Sequence, residues 1–381
     1  MSQSRVRHSD IEVGKALPWD VFDEKGTLLL SKGFIVASES QIDRLVAMGV
    51  YADSQALQSS RLLQLEAEEQ DSPAGGAGSP VQDWNDLRKI MAQFYSQLEL
   101  NIQSGIFISR IVEIAHEVDR LCSANPALAQ AFITLRQDGA YSARHMLDSA
   151  VIVRLAARTL KMTKAKEHGL VCAALTMNLG SSEFQDEIKT QTEALSNEQL
   201  ERLHRHPELA TSKLKSIGVH DPIWLRAVLE HHEHFDGSGY PNRLSGNDLS
   251  KEGQLLRLAD VYCARITFRE YRAAVPLTVA LRGILLERGK TIDQTLAAQF
   301  IHAVGVFPPG LKLSLANGEQ GVVVRPGSSP NHPVVISLLS AAGTPLLPPV
   351  YRDTTQAEFA VKETINPATF NAYVDIESIW C

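Results

Sequence analysis

The sequence predicts a mainly α-helical protein: a helical-bundle domain flanked by a small N-terminal α+β module and a small C-terminal antiparallel β module. Three observations carry that reading. Apolar residues recur at three- and four-residue spacing through residues 83–305, they alternate with polar ones towards both chain ends, and an acidic, then Pro/Gly/Ser-rich stretch separates the first two regions. With 381 residues, 44% of them hydrophobic, the chain has room for two or three cores.

In residues 1–65, Trp19-Asp20-Val21-Phe22 and Thr27-Leu28-Leu29-Leu30 are expected as short strands around Glu24-Lys25-Gly26. Ser38-Glu39-Ser40-Gln41 has the form of a capping box, and Ile42, Leu45 and Val46 follow at helical spacing to a stop near Gly49. Residues 66–82 are expected to be a mobile linker. A helix capped by Asp83 then carries Trp84, Leu87, Met91, Phe94 and Leu98, and a second carries Ile108, Ile111, Ala115, Val118 and Cys122. Asn125-Pro126 opens a third through a cap and a first-turn proline. Further helices are expected at about 141–160, 164–178, 197–216, 222–232, 252–267, 276–288 and 292–303, completing an all-α domain over 83–305. In 306–381, Leu311, Leu313 and Leu315 alternate with Lys312 and Ser314, Asn317-Gly318 marks a hairpin, and 320–324 returns as a strand. A turn-rich connection at 326–333 precedes a third strand at 334–339.

Charge and cysteine usage exclude several classes of function. The balance of 37 basic and 44 acidic residues, net −7, argues against a partner that is a nucleic acid polymer. Cys122, Cys172, Cys263 and Cys381 are scattered, so neither a disulfide framework nor a zinc ribbon is expected. The longest apolar run, 170–179, is too short and broken to span a bilayer, and the polar N-terminus lacks a signal-peptide core. The expectation is a cytoplasmic protein without a membrane span.

The chemistry centres on His231-His232-Glu233-His234-Phe235-Asp236-Gly237-Ser238-Gly239-Tyr240-Pro241. Adjacent histidines can bite one metal ion, and the glycines before Tyr-Pro mark a tight turn. A helix starting at Pro222 would set His231 and His232 near the face of Trp224 and Val228. His206 precedes Pro207, His145 shares a helix with Ile152, Leu155 and Ala156, and Asp260 lies inside the apolar run 255–261, where a carboxylate needs a partner. His145, His206, His231, His232 and Asp260 are therefore the candidate metal ligands, and His204 and His234 read as ordinary polar residues.

These motifs, with Tyr141-Ser142-Ala143-Arg144-His145, Leu258-Ala259-Asp260-Val261-Tyr262 and Arg269-Glu270-Tyr271-Arg272, resemble the HD-GYP family of bacterial cyclic di-GMP phosphodiesterases over roughly residues 84–305. The resemblance implies an HD-type helical bundle, a divalent metal site, the chemistry of a phosphoric diester hydrolase and a role in signal transduction. It departs at Met177-Asn178, which stand where the family has its His-Asp pair, and at Ser181, which replaces a lysine that faces substrate phosphate. Two-metal hydrolysis needs an anionic bridge; an Asn amide brings no charge, and a thioether is a poor ligand for these metals. The expectation is zero or one divalent transition metal (Fe, Mn or Zn) on His206, His231 and His232, with Asn178 as a weak fourth ligand and no catalytic residue assigned. The resemblance further implies that Asp236, Gly237, Gly239, Tyr240 and Pro241 contact diguanylate-synthesising domain proteins, against a purely structural turn. It implies that Arg269 and Arg272 contact the phosphates of a cyclic dinucleotide, against a solvated helix end. The functional expectation is a degenerate signalling module, catalytically weak or inactive, that works by binding a ligand or partner. The alternatives are an active mono-metal phosphodiesterase for cyclic di-GMP or a related cyclic dinucleotide, and a structural scaffold without a ligand.

Overall fold

The computed structural model describes residues 3–6, 10–11, 16–24, 26–34, 36, 42, 45–46, 48–53, 56, 79–103, 105–136, 141–179, 184, 191, 195–266 and 277–381. The chain forms two compact units, residues 1–77 and 78–381. Arg269, Arg272, Ser181 and the expected capping box at 38–41 lie outside the described residues.

The first unit is a four-stranded antiparallel sheet, β1 (Gln3–Arg5), β2 (Val21–Phe22), β3 (Leu28–Leu30) and β4 (Tyr51–Asp53), in the order β1-β4-β2-β3. The β2–β3 turn forms because Gly26 takes φ +81° and the Asp23 carboxylate accepts from Thr27 N at 2.7 Å. Its core gathers Val6, Ile11, Trp19, Val21, Val36, Ile42, Val50 and Ala52. Strands β1 and β4 were not expected: three residues each are too few to show alternation.

The second unit begins earlier than the sequence pattern suggests. Its first helix, α1, is Pro80–Ser96: Ser79 is the N-cap and accepts from Val81 N, so the end of the expected 66–82 linker is helical and Asp83 lies in the first turn. There follow α2 (Leu98–Gln103), α3 (Phe107–Ala124), α4 (Pro126–Leu135), α5 (Tyr141–Thr159), α6 (Lys164–Thr176), α7 (Asn197–Ser216), α8 (Pro222–Glu230), α9 (Lys251–Ile266), α10 (Leu277–Glu287) and α11 (Gln294–Val304). The caps explain the boundaries: Asn125, Thr163, Asp221 and Asp293 each accept from an amide of the following first turn, and Ser196 with Gln199 completes a capping box on α7. Helix α5 is buried on nearly every side, with α1, α3, α4, α6, α9 and α11 packed around it.

Residues 306–381 form a five-stranded antiparallel sheet, β5 (Lys312–Leu315), β6 (Gln320–Ser329), β7 (His332–Leu339), β8 (Pro345–Asp353) and β9 (Val361–Thr364), in the order β8-β7-β6-β5-β9. A short helix α12 (Ile376–Trp380) ends the chain. The sheet is not separable from the bundle, since Leu313, Val322, Val335 and Trp380 share one apolar core with α4 and α5. Asn125 Nδ2 donates to Trp380 O at 2.9 Å, and Trp380 Nε1 to Val324 O at 2.8 Å. The expected turn-rich connection at 326–333 is instead strand on both sides of Pro330-Asn331. Gly327 permits this: a Cβ there would lie 1.8 Å from His332 O, so only glycine lets the partner backbone approach.

Candidate metal centre and its loop

Three histidines meet where α7 and α8 pack. Pro207 has no N–H to give the carbonyl four residues back, so Leu203 O is left free within α7, and His206 Nδ1 donates to it at 2.5 Å. His231 follows the last residue of α8, where carbonyls lack helical partners, and its Nδ1 donates to Val228 O at 2.6 Å. Both bonds place the ring proton on Nδ1 and leave Nε2 with a lone pair. The two Nε2 atoms face each other at 3.1 Å. Two lone pairs so aimed repel unless a cation lies between them. His232 joins at ring-centroid distances of 4.2 Å from His231 and 4.9 Å from His206, and one nitrogen of each ring lies within 4.8 Å of the others.

Burial keeps this set neutral. It pushes His206 down to about 3, helped by the neighbouring His231, and lowers His231 and, further, His232. Neutral imidazoles are the ligand form, so the triad fits one divalent cation without first losing protons.

The remaining two candidates form a different arrangement. His145 on α5 and Asp260 on α9 bond directly, Nε2 to Oδ1, at 2.7 Å. Burial alone would raise the Asp260 carboxyl. The hydrogen bond and charge of His145, with His232 and His231 behind it, overturn that and hold it below the ordinary carboxylate range. Met177 and Asn178 are buried in the turn directly after α6, the helix that packs against α8. A carboxylate and an imidazole already joined by a hydrogen bond do not fit a second cation of the same kind.

The loop after the histidines is a built object. Glu233 is buried and accepts from Asn242 N at 2.6 Å and Leu244 N at 3.1 Å, which fixes the segment carrying Tyr240 and Pro241. The Asp236 carboxylate accepts from Ser238 N at 3.0 Å and Ser238 Oγ at 2.6 Å, and Gly237 takes φ +78°. Gly239 is required sterically: a Cβ would lie 2.3 Å from His234 N. Tyr240 stacks on His232 at 4.8 Å and lies 4.3 Å from the His204 ring, while His234 Nδ1 bonds Ser238 Oγ at 2.8 Å. His204 and His234, expected to be ordinary polar residues, line the cleft with Arg205, Glu208 and Arg243.

Sequence reasoning missed three buried charges. Glu230 accepts from Arg226 Nε at 2.6 Å and Ser250 N at 2.8 Å, which anchors the start of α9 and hence the helix bearing Asp260. Glu233 pins the loop as described. Arg257, one turn before Asp260 and 6% exposed, lies 3.8 Å from Glu287; burial lowers His232 and His234 and the Arg257 charge adds to it, while burial raises Tyr240. The signal was present: a charged residue inside an otherwise apolar helix or turn has a partner or a task.

A family model described as HD domain matches residues 132–296. A cyclic di-GMP phosphodiesterase of Pseudomonas aeruginosa is 25% identical over 215 residues, 56% of this chain and 51% of its own length. A cyclic di-GMP phosphodiesterase of Borreliella burgdorferi is 23% identical over 196 residues, 51% of this chain and 52% of its own length. The chain thus spans about half the length of these curated relatives. Among solved structures, a protein of Bdellovibrio bacteriovorus titled an HDG"Y"P protein superposes with TM-score 0.53 at 16% identity, covering 78% of this chain and 98% of its own, a likeness of fold. Among the described residues no helix is long and apolar enough to cross a membrane. Residues 132–296 of this chain therefore match the HD domain, and the chain is similar to proteins named cyclic di-GMP phosphodiesterases.

Proposed function

We propose that the chain is a degenerate HD-GYP module that keeps one divalent transition metal, has given up efficient phosphodiester hydrolysis, and signals by binding a cyclic dinucleotide or a protein partner in its cleft. The observation that carries this reading is the contrast inside the site. His206 and His231 aim two lone pairs at one point, whereas Asp260 is already engaged by His145. Neutral imidazoles suit Zn, Fe or Mn, and an ion there would act as a Lewis acid on a phosphate oxygen. The chain's own contribution is to hold the ligands: Leu203 O and Val228 O fix two ring orientations, and Tyr240 covers the face of His232.

Without an anionic bridge at Asn178, no second cation is held to generate a hydroxide beside the first, so turnover is expected to be weak or absent. Arg257 brings a buried positive charge next to His232 and Tyr240, and Arg205 and Arg243 line the cleft, which suits a ligand with phosphodiester groups. The Asp236–Pro241 loop, held rigid from beneath by Glu233, is the surface proposed to meet a diguanylate-synthesising partner. The test is a hydrolysis assay on cyclic di-GMP beside calorimetric titration of the same ligand. Binding without turnover is expected. Turnover that His231→Ala abolishes would establish instead the mono-metal phosphodiesterase. Absence of binding and of any thermal shift with metal would leave the scaffold.

A further inference from the structure

The three rings of the triad are not held in the same way. His206 and His231 each give Nδ1 to a backbone carbonyl, so a hydrogen bond sets the plane of each ring. Among the described residues no hydrogen bond holds a ring nitrogen of His232, and the groups packed against its ring are aromatic. Two of them, His206 and His231, belong to the triad themselves. The third is Tyr240, which lies 4.8 Å from the His232 ring and 24° from parallel with it.

Tyr240 is braced in turn. The His204 ring lies 4.3 Å from it at 32°, and because His204 and His232 make no ring contact with each other, they take opposite faces of the tyrosine. The backbone is tied to the same place: Tyr240 N donates to His232 O at 3.2 Å. Gly239 lets the loop fold back this tightly, since a Cβ there would lie 2.6 Å from Glu233 Cα. The stack therefore runs from His204 through Tyr240 to His232, and ends at the converging nitrogens. His204 is exposed and is not one of the three that converge. A ligand ring without a hydrogen bond behind it must give up rotamer freedom when it binds an ion, and a stack that orders it beforehand lessens that cost.

We infer that His204 is a positioning residue for the metal centre: by clamping Tyr240 it orders the His232 ring, and so couples the Asp236–Pro241 loop to occupancy of the triad. The inference rests on the reading of the triad as a site for one ion. Coupling is reciprocal, so whatever draws Tyr240 away from His204 loosens the third ligand, and an ion on the triad tightens the loop.

The test is zinc titrated into the full chain in competition with a chromophoric chelator, counting the ion that His231→Ala loses. His204→Ala is expected to weaken that ion about three- to tenfold, the worth of one aromatic pair, and Tyr240→Ala about tenfold or more. His204→Phe is expected to restore most of the affinity, because a phenyl ring stacks and cannot ligate, so the rescue separates bracing from direct coordination. Zinc is also expected to slow amide exchange at Tyr240 in the wild type, and less so in His204→Ala. Equal zinc affinity in the wild type and His204→Ala would overturn the inference and leave the one-ion reading standing, as would a loss that His204→Phe fails to restore. A wild-type chain that takes up no zinc would overturn both.

Discussion

The histidines in the two halves of the candidate metal centre end in opposite electrostatic states. In the His206–His231–His232 half, backbone carbonyls take the Nδ1 protons and leave lone pairs converging on one point. In the His145–Asp260 half, the base and the acid have found each other at 2.7 Å, so their attraction is satisfied within the protein. Histidine therefore joins a ligand set or a closed pair according to what faces it: a proline-freed carbonyl and a helix end in one case, a carboxylate in the other. Met177 and Asn178 leave the closed pair with no bridging anion to open it towards a cation.

The strongest way to break this contrast is to restore the bridge. Met177→His with Asn178→Asp is expected to raise the metal content from one ion to two and cyclic di-GMP hydrolysis by about a hundredfold or more, read by elemental analysis and product chromatography. An unchanged rate would mean that the fault lies elsewhere in the cleft. The open half can be dismantled instead: His231→Ala should take the bound metal from one equivalent to near zero and remove the thermal shift that metal produces, seen by mass spectrometry and calorimetry.

The closed half is tested by stability. Asp260→Asn is expected to destabilise the fold by about 1–3 kcal/mol in denaturant titrations while the triad keeps its metal. The sign with pH follows from the depressed carboxyl of Asp260. Its stabilisation is present above the unfolded carboxylate pKa and is lost as pH falls through the folded value, so wild type and Asp260→Asn should converge in acid. Glu233→Gln should have the smallest effect, about 1 kcal/mol or less, with faster amide exchange confined to Asn242 and Leu244.

Most of the helical frame could be read from apolar spacing and caps, because most long helices present a wide stripe and several start at Ser, Thr, Asn or Asp. The pattern was weakest where backbone did the deciding. The strand β6 runs through Pro326 to Ser329 against composition, since Gly327 admits the partner chain, and β1 and β4 are too short to alternate. The expected separate module at 306–381 shares its core with the bundle because α12 returns across it, and no local signal announces where a terminal helix will dock. In the site, all five candidate ligands proved buried or nearly so, and the field of Asp260 reaches His206, His231 and His232. The motif also flagged the turn glycines. It did not reveal that Pro207 sets the tautomer of His206, nor that Glu230, Glu233 and Arg257 are internal supports, because such roles depend on which backbone groups the fold leaves unpaired.

The central claim is that one half of this centre holds an ion and the other half holds a proton. Anomalous scattering from crystals grown with manganese tests it most directly. One peak bounded by His206, His231 and His232, with none beside Asp260, is the result expected. Two full peaks flanking Asn178 would contradict it.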